Sequence, residues 1–255
     1  MTQANIFEDP TFVYIQELHA TQQVPHLAAS LDELLRSYNN GALFAELGAG
    51  MGHLALEMHR RHFPVLVEEP SEQSLERLSQ REPEFHAFLE SHEQLFAQGL
   101  LQYARHLVKN GEGVLSGAYS NEGPLAVMRT VDGRHIVESH VETPELLEKS
   151  LAGLRHGLRK SAPLALSVQS VPRGEQETYG VSVDNEPVRY YAWTSYDLSE
   201  GRVARLRHIR GKGMQSISHI QTKLALTLNR FYKLAMNAGF SDYQFSRDGR
   251  WFVMR

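Results

Sequence analysis

Apolar residues recur at helical spacing near the start of the chain. Phe12, Ile15 and Leu18 stand beside His19, and Leu27, Leu31, Leu34 and Leu35 follow. Residues 11–38 therefore read as one or two helices, with Pro25 as the interruption. Ser30, followed three residues on by Glu33, resembles a capping box for the second helix. The pattern then changes. Residues 42–47 form a short continuous apolar run, the signature of a buried strand. The turn Gly48-Ala49-Gly50-Met51-Gly52 comes next, and 53–62 reads as a helix covered by Leu54, Leu56 and Met58. Residues 64–70 are a second buried strand that ends in acid. Ser71 opens a further helix with Leu75 and Leu78 on one face, and 83–109 continues helical. This alternation implies parallel strands joined by right-handed crossovers.

Farther on, 114–119 and 124–131 read as a third and a fourth strand, and 163–171 as a fifth. A helix spans 144–160, with proline in its first turn and Glu145 near the positive end of its dipole. Residues 179–183, 188–196 and 202–210 are rich in β-branched and aromatic side chains. They are expected as antiparallel strands joined by Asp184-Asn185-Glu186-Pro187 and Leu198-Ser199-Glu200-Gly201. A long helix is expected over 217–237, closed by Gly239 in a left-handed cap. Residues 241–246 and 250–255 flank Arg247-Asp248-Gly249 as a terminal hairpin.

The 255 residues suffice for one sizeable α/β core, and the 42% hydrophobic content is that of an ordinary globular chain. No apolar run approaches the roughly 18–20 residues of a membrane span. The first ten residues lack a basic start followed by an apolar stretch, so the cytoplasm is the expected compartment. Cysteine is absent, which excludes thiolate metal sites and cysteine nucleophiles. The net charge of −4 hides an asymmetry: residues 1–150 carry 10 Lys and Arg against 22 Asp and Glu, and residues 151–255 carry 16 against 8. The reading preferred is charge complementarity within one fold, with an anion-binding surface in the second half as the alternative. An acidic chain of this kind is poorly suited to binding nucleic acid nonspecifically.

The segment with chemical content is Glu46 to Gly52. Its glycines permit positive φ in a tight strand-to-helix turn and let a ligand touch bare backbone. Such a turn lies at the C-terminal edge of the first strand, where open α/β sheets bind ligands. Glu69 follows at the end of the next strand, where a carboxylate accepts hydrogen bonds from both hydroxyls of an adenosine ribose. A dinucleotide fingerprint requires G-x-G-x-x-G, but the third glycine would fall on His53. The spacing here is an acid, one residue, then G-x-G-x-G.

That run, Glu46-Leu47-Gly48-Ala49-Gly50-Met51-Gly52, resembles the first motif of class I S-adenosylmethionine (SAM) dependent methyltransferases. Glu69-Pro70-Ser71 is similar to the acid-Pro-Ser that ends the family's second strand. Ala238-Gly239-Phe240 and the hairpin after it are similar to the family's terminal region, and the likeness extends in outline over residues 40–255. The resemblance implies a Rossmann-like α/β sheet, mostly parallel with an antiparallel last strand and helices on both faces. Residues 1–40 would form an N-terminal helical lid, and 41–255 the SAM-binding domain with an antiparallel β insertion at 179–210.

The resemblance also implies roles. Gly48, Ala49, Gly50 and Gly52 would admit the methionine part of SAM, and Glu46 would orient it. Glu69 and Pro70 would border the ribose. Met128, Arg129 and Thr130, at the end of the fourth strand, would face the sulfonium and the acceptor. The family's third strand usually ends near an Asp that holds the adenine amino group. The matching stretch Gly117-Ala118-Tyr119-Ser120 has no acid, so either Tyr119 or Ser120 substitutes or the strand is misplaced. The fourth strand lacks the Asn/Asp-Pro-Pro-aromatic run of enzymes that methylate amino groups of nucleic acids and glutamine, which points away from those substrates.

Methyl transfer is an in-line displacement in which the protein supplies alignment and excludes water. A base is needed only where the acceptor must lose a proton, and His135 and His140 are the candidates among 13 histidines, most of which are expected to be ordinary surface residues. Aromatic faces stabilise a sulfonium; Tyr14, Tyr179, Tyr190, Tyr191, Trp193 and Tyr196 are available, most of them expected to be packing residues. Residues 7–19 and 179–210 are expected to cover the acceptor pocket. Arg205 and Arg207 share one strand face and could clamp a carboxylate or phosphate, although a solvated or acid-paired face is the favoured reading. The expected activity is methyl transfer to a small molecule, in specialised metabolism, with no metal and no nucleic-acid or membrane partner. The alternatives are transfer or cyclisation of SAM's aminocarboxypropyl arm, to azetidine-2-carboxylate in the latter case, with release of methylthioadenosine, and a degenerate SAM fold acting only as a binding partner.

Overall fold

The computed structural model describes residues 10–41, 43–69, 74, 76, 78, 80, 113, 115–121, 123, 125–170, 174–183, 186–211 and 217–255. Helix α1 (Pro10–Leu35) is a single element. Val24, Ala28, Leu31 and Leu35 form its buried stripe. Pro25 lies inside it on the exposed face, where water can serve the backbone groups that proline leaves unpaired. The expected capping box at Ser30 is therefore a mid-helix residue.

Strands β1 (Phe44–Leu47) and β2 (Val65–Glu68), each wholly buried, flank helix α2 (His53–Arg60) and pair in parallel. Strand β3 (Gly117–Ser120) joins β1 on its other edge, also in parallel. It corresponds to the expected third strand and stands beside the first. The hairpin β4 (Val127–Val131) and β5 (Arg134–Ser139) follows, turning through Asp132 and Gly133, both at positive φ. Strand β5 is absent from the sequence reading, although Asp-Gly there is the same signal used for the terminal hairpin.

Helix α3 (Pro144–Gly157) is capped by Thr143, whose hydroxyl accepts from the Leu146 amide (3.3 Å). Strand β6 (Leu164–Ser170) then does two things. Its first half pairs in parallel with β3 and its second half in parallel with β4. It thus carries the nucleoside-type sheet into an antiparallel one built from β7 (Gly174–Val183), β8 (Glu186–Asp197), β9 (Arg202–Gly211) and β10 (Ile217–Thr227). The resulting order is β2-β1-β3-β6-β4-β5-β10-β9-β8-β7.

The expected long helix over 217–237 is two elements: strand β10, then helix α4 (Leu228–Asn237). Thr227 opens the helix by accepting from the Arg230 amide (3.4 Å), and Gly239 at φ +96° closes it as expected. The apolar positions of β10 mislead because Lys223, Leu224, Ala225 and Leu226 are all buried, so the strand shows no alternation. Strands β11 (Tyr243–Phe245) and β12 (Trp251–Met254) form the terminal hairpin, and β12 runs antiparallel to β6. The architecture is a mostly parallel Rossmann-like sheet with an antiparallel last strand, extended by an antiparallel sheet. No described helix is long and apolar enough to cross a membrane.

Candidate functional site

The glycine turn leaves the buried β1 at a sheet edge where two carboxylates converge. Gly48, Gly50 and Gly52 all have positive φ, at +70°, +57° and +71°. The Gly48 and Ala49 amides donate to the carbonyl of Glu68 (2.7 and 3.1 Å), and Gly48 also donates to its Oε2 (3.2 Å). The Gly50 amide donates to Oε2 of Glu69 (2.7 Å). A side chain built on Gly52 would strike Leu78 at 2.3 Å, whereas one built on Gly50 would meet nothing within 4 Å. Gly52 is thus the packing glycine of the turn, and Gly50 is the one beside open space.

Glu46 shares its sheet face with Tyr119, its register partner on β3. Both are buried, and Glu46 Oε2 and Tyr119 Oη have no hydrogen-bond partner among the described residues. Burial pushes the Glu46 carboxyl up to about 8; the neighbouring Tyr119 hydroxyl opposes the shift and the charge of Glu69 adds to it. Burial, and then Glu69, push the Glu68 carboxyl up to about 7. Glu68 was missed in the sequence, though the paired acids before Pro70 were its signal.

Three carboxyls around one turn favour a cation. A pyrophosphate against them would be repelled, whereas a ligand bearing a sulfonium and an ammonium would relieve them. The bare Gly50 backbone, the unpaired Glu46 oxygen and the Glu69 carboxylate together fit SAM. Pro70 lies outside the described residues.

Alternation divides the other candidates. Paired residues on adjacent strands point to the same face. Following the registers from Glu46 and Tyr119 through Ala165 on β6 leads to Gln169, Arg129, Glu138, Lys223, Arg205, Arg207, Thr194 and Tyr196. Met128 and Thr130 point the other way. So does His135, which sits 3.2 Å from the Thr130 hydroxyl with its ring 4.7 Å from that of Phe245. His135 and His140 thus stand on opposite faces. Of the expected fourth-strand trio, only Arg129 shares the face of Glu46. The strand ending beside the turn is β3, and the Ser120 hydroxyl on it donates to the Leu47 carbonyl (3.1 Å).

The antiparallel sheet buries a polar network on that shared face. Glu138 is fully buried; its carboxylate accepts from Arg205 Nη2 at 2.9 and 3.1 Å and from the Tyr196 hydroxyl at 2.6 Å, with Arg129 Nε at 3.6 Å. Burial alone would raise its pKa, but Arg129 and Arg205 outweigh it and hold the carboxyl below its ordinary value. Arg205 also donates to Thr194 (3.2 Å), so it is the acid-paired residue that the sequence favoured over a clamp. Glu138 and Lys223 were missed, because a buried charge carries no local mark in a sequence.

Tyr14 on α1 and Trp193 on β8 are exposed, and the half-buried Tyr191 ring lies 6.2 Å from His208. Tyr179 is in β7, opposite the buried Tyr190. No group of residues able to hold a metal occurs among the described residues.

No protein-family model matches the chain, and no curated protein matches it either. Solved structures do. DesVI of Streptomyces venezuelae has a TM-score of 0.66 at 17% identity, covering 96% of this chain and 98% of its own. CalS10 of Micromonospora echinaspora, an amino pentose methyltransferase solved with SAM, has a TM-score of 0.66 at 14% identity, covering 95% of each chain. The sugar N-methyltransferase KedS8 of a Streptoalloteichus species has 0.62 at 13% identity, covering 89% of this chain and 85% of its own. With the parallel strands, the antiparallel terminal hairpin and the acid-flanked glycine turn, these likenesses show that the chain has the fold of the class I SAM-dependent methyltransferases.

Proposed function

We propose that the chain is a SAM-dependent methyltransferase acting on a small molecule, and that an amine carried on a sugar is the first acceptor class to test. The observation that carries the reading is the contact of Gly50 with Glu69, which joins bare backbone to a ribose-binding carboxylate. The acceptor class is suggested by CalS10 and KedS8, which are named for amino-pentose and sugar N-methylation.

Bound SAM supplies a methyl group on a sulfonium. Glu69 accepts the ribose hydroxyls, and Glu46 and Tyr119 meet the cationic methionine end. Arg129 and the network behind it border the same face farther along β4. In this reading the acceptor is covered by the described parts of the expected lid, 10–19 and 186–210, with Tyr14, Tyr191 and Trp193; residues 7–9 and 184–185 and the Tyr179 side chain lie outside what the structure describes. The acceptor's proton does not go to His140. Arg207 can only donate, so Gln221 accepts from it through Oε1 (3.0 Å) and presents its amide nitrogen to His140 Nδ1 (3.3 Å). That occupies the Nδ1 lone pair and leaves the proton on Nε2. Partial burial, then the charges of Lys223 and Arg207, push this imidazole down to about 3, so it is neutral and a donor at physiological pH.

The test is incubation with SAM and a panel of amino sugars and non-sugar amines, followed by mass spectrometry of the nucleoside products. S-adenosylhomocysteine formed only with an acceptor is expected. Methylthioadenosine formed from SAM alone would overturn the proposal.

A further inference from the structure

Beyond Glu46 and Tyr119, two more buried polar atoms have no hydrogen-bond partner among the described residues: Oδ1 of Asn121 and Nε1 of Trp251. Asn121 directly follows β3. Ser120 before it donates to the Leu47 carbonyl (3.1 Å), and a side chain built on Gly123 would stand 2.1 Å from that same oxygen. The segment leaving β3 is therefore folded closely against the end of β1, which fixes Asn121 between two anchored neighbours. Trp251 opens β12 and is fully buried. The two residues fall on one level of the sheet. Glu46 pairs with Tyr119 and Ser120 with Leu166, so Asn121 comes level with Gly48 on one side and Ser167 on the other, and Ser167 pairs with Trp251. Ser167 and Trp251 stand two residues from Ala165 and Val253, the register partners that continue the row of Glu46 and Tyr119, so they share that row's face. Asn121 and Trp251 are two strand spacings apart, roughly 10 Å between backbones.

A buried donor or acceptor left unpaired costs more than a hydrogen bond gains, and native structures keep few of them. The Asn121 Oδ1 accepts only, and the Trp251 indole N–H donates only. Their complement is a small ligand that carries a donor and an acceptor side by side. Glu69 follows β2, on one side of β1, whereas Asn121 and Trp251 lie on the other side. With the ribose on Glu69, that other side is left to the acceptor.

We propose that Asn121 and Trp251 bind the acceptor and select an amine with a hydroxyl on the neighbouring carbon. The Asn121 Oδ1 accepts from the amine N–H, and the Trp251 Nε1–H donates to the hydroxyl oxygen. The inference rests on the methyl-transfer reading and narrows its acceptor to vicinal amino alcohols, the arrangement that many sugar amines present. A carboxamide oxygen takes no proton at neutral pH, so Asn121 orients the amine and is not its base.

The experiment is calorimetric titration of the full chain loaded with S-adenosylhomocysteine, which has no methyl group to give. The probes are trans-2-aminocyclohexanol, cyclohexylamine and cyclohexanol. The amino alcohol should bind tighter than either analogue by about tenfold or more, since each analogue leaves one buried polar group unpaired. Trp251→Phe should lower its affinity to that of cyclohexylamine and leave cyclohexylamine unchanged. Asn121→Ala should lower it to that of cyclohexanol and leave cyclohexanol unchanged. A residue with a structural role alone would weaken all three probes together. Trp251 is a core residue, so circular dichroism checks the fold of its variant; Asn121 is half-buried at a strand end and gives the same test without opening the core. Equal affinities for the three probes, no binding of the amino alcohol, or unchanged selectivity in either folded variant overturns the inference. Turnover of SAM is followed on the same preparations by mass spectrometry. S-adenosylhomocysteine formed with amines, but with no preference for the amino alcohol, defeats this inference alone. Selective binding of the amino alcohol, with methylthioadenosine released from SAM alone, defeats the methyl-transfer reading alone.

Discussion

The Gly50 amide donates to Oε2 of Glu69 across 2.7 Å, joining the end of one parallel strand to the end of its neighbour. Neither residue faces the other by virtue of its own strand. The contact exists because β1 and β2 pair from Phe44 with Val65 to Leu47 with Glu68, which brings the turn and the acid to one edge. Glu69→Ala should therefore weaken SAM binding by about 1–3 kcal/mol, the usual cost of stranding polar partners, with little change in Tm. Isothermal titration checks this, and an unchanged affinity would place the ribose elsewhere.

Gly50 and Gly52 should respond differently to alanine. At Gly50 the added methyl group meets no protein atom, so Gly50→Ala should fold with a modest penalty of about 1 kcal/mol from its positive φ. It should nevertheless lose SAM binding by tenfold or more, because the methyl group enters the ligand's space. At Gly52 the methyl group strikes buried Leu78 at 2.3 Å, and the loss should be in stability, by about 2 kcal/mol or more. Comparing Tm with SAM affinity for the two variants separates them.

Binding of a cation beside Glu46 should release protons. Burial holds this carboxyl at about 8, so at pH 7 it is protonated, and a sulfonium or ammonium favours its ionised form. SAM affinity should rise with pH from about 6 to about 8. At pH 7, the apparent binding enthalpy should differ between buffers of different ionisation enthalpy, and less so in Glu46→Gln. The effect on stability has the opposite sign. Between the ordinary 4.5 and about 8 the folded state binds the proton that the unfolded state has lost, so this group's contribution falls as pH rises through that window. Glu46→Gln should raise Tm at pH 8 by about 2–4 °C, a gain on the order of 1 kcal/mol for a domain of this size.

Glu138 is the keystone of the second sheet. Glu138→Ala leaves Arg129 and Arg205 buried without their counter-charge and should cost about 3–5 kcal/mol. Tyr196→Phe removes one hydrogen bond to a charged group and should cost about 1.5–3 kcal/mol. Glu138 is held below the ordinary 4.5, so its contribution is fully present above that pH and is lost as pH falls through its lowered value. Acid denaturation followed by circular dichroism should show a transition that Glu138→Gln blunts.

The first sheet was legible because its signals are local. Glycine spacing, an acid two residues before the first glycine and the apolar runs of β1 and β2 are all short-range. The terminal Asp248-Gly249 turn and the Gly239 cap were legible for the same reason. Strand β10 was not, because Ile217, Ile220 and Leu224 fall at helical spacing and residues 223–226, in its C-terminal half, are buried on both faces. Placing β3 beside β1 required knowing which edge it joins, and a crossover leaves that open. The face of each histidine followed only once β4 and β5 were seen to be a hairpin.

By itself, then, the sequence determined the turn, the carboxylate opposite it and the class of fold they belong to, since backbone sterics and residue spacing act over a few positions. Only the tertiary structure decided that Arg205 is spent on Glu138, that Lys223 is buried on the same sheet face and that His140 lies beside Gln221. Those outcomes depend on burial and on which strands pair, and the sequence carries no short-range record of either.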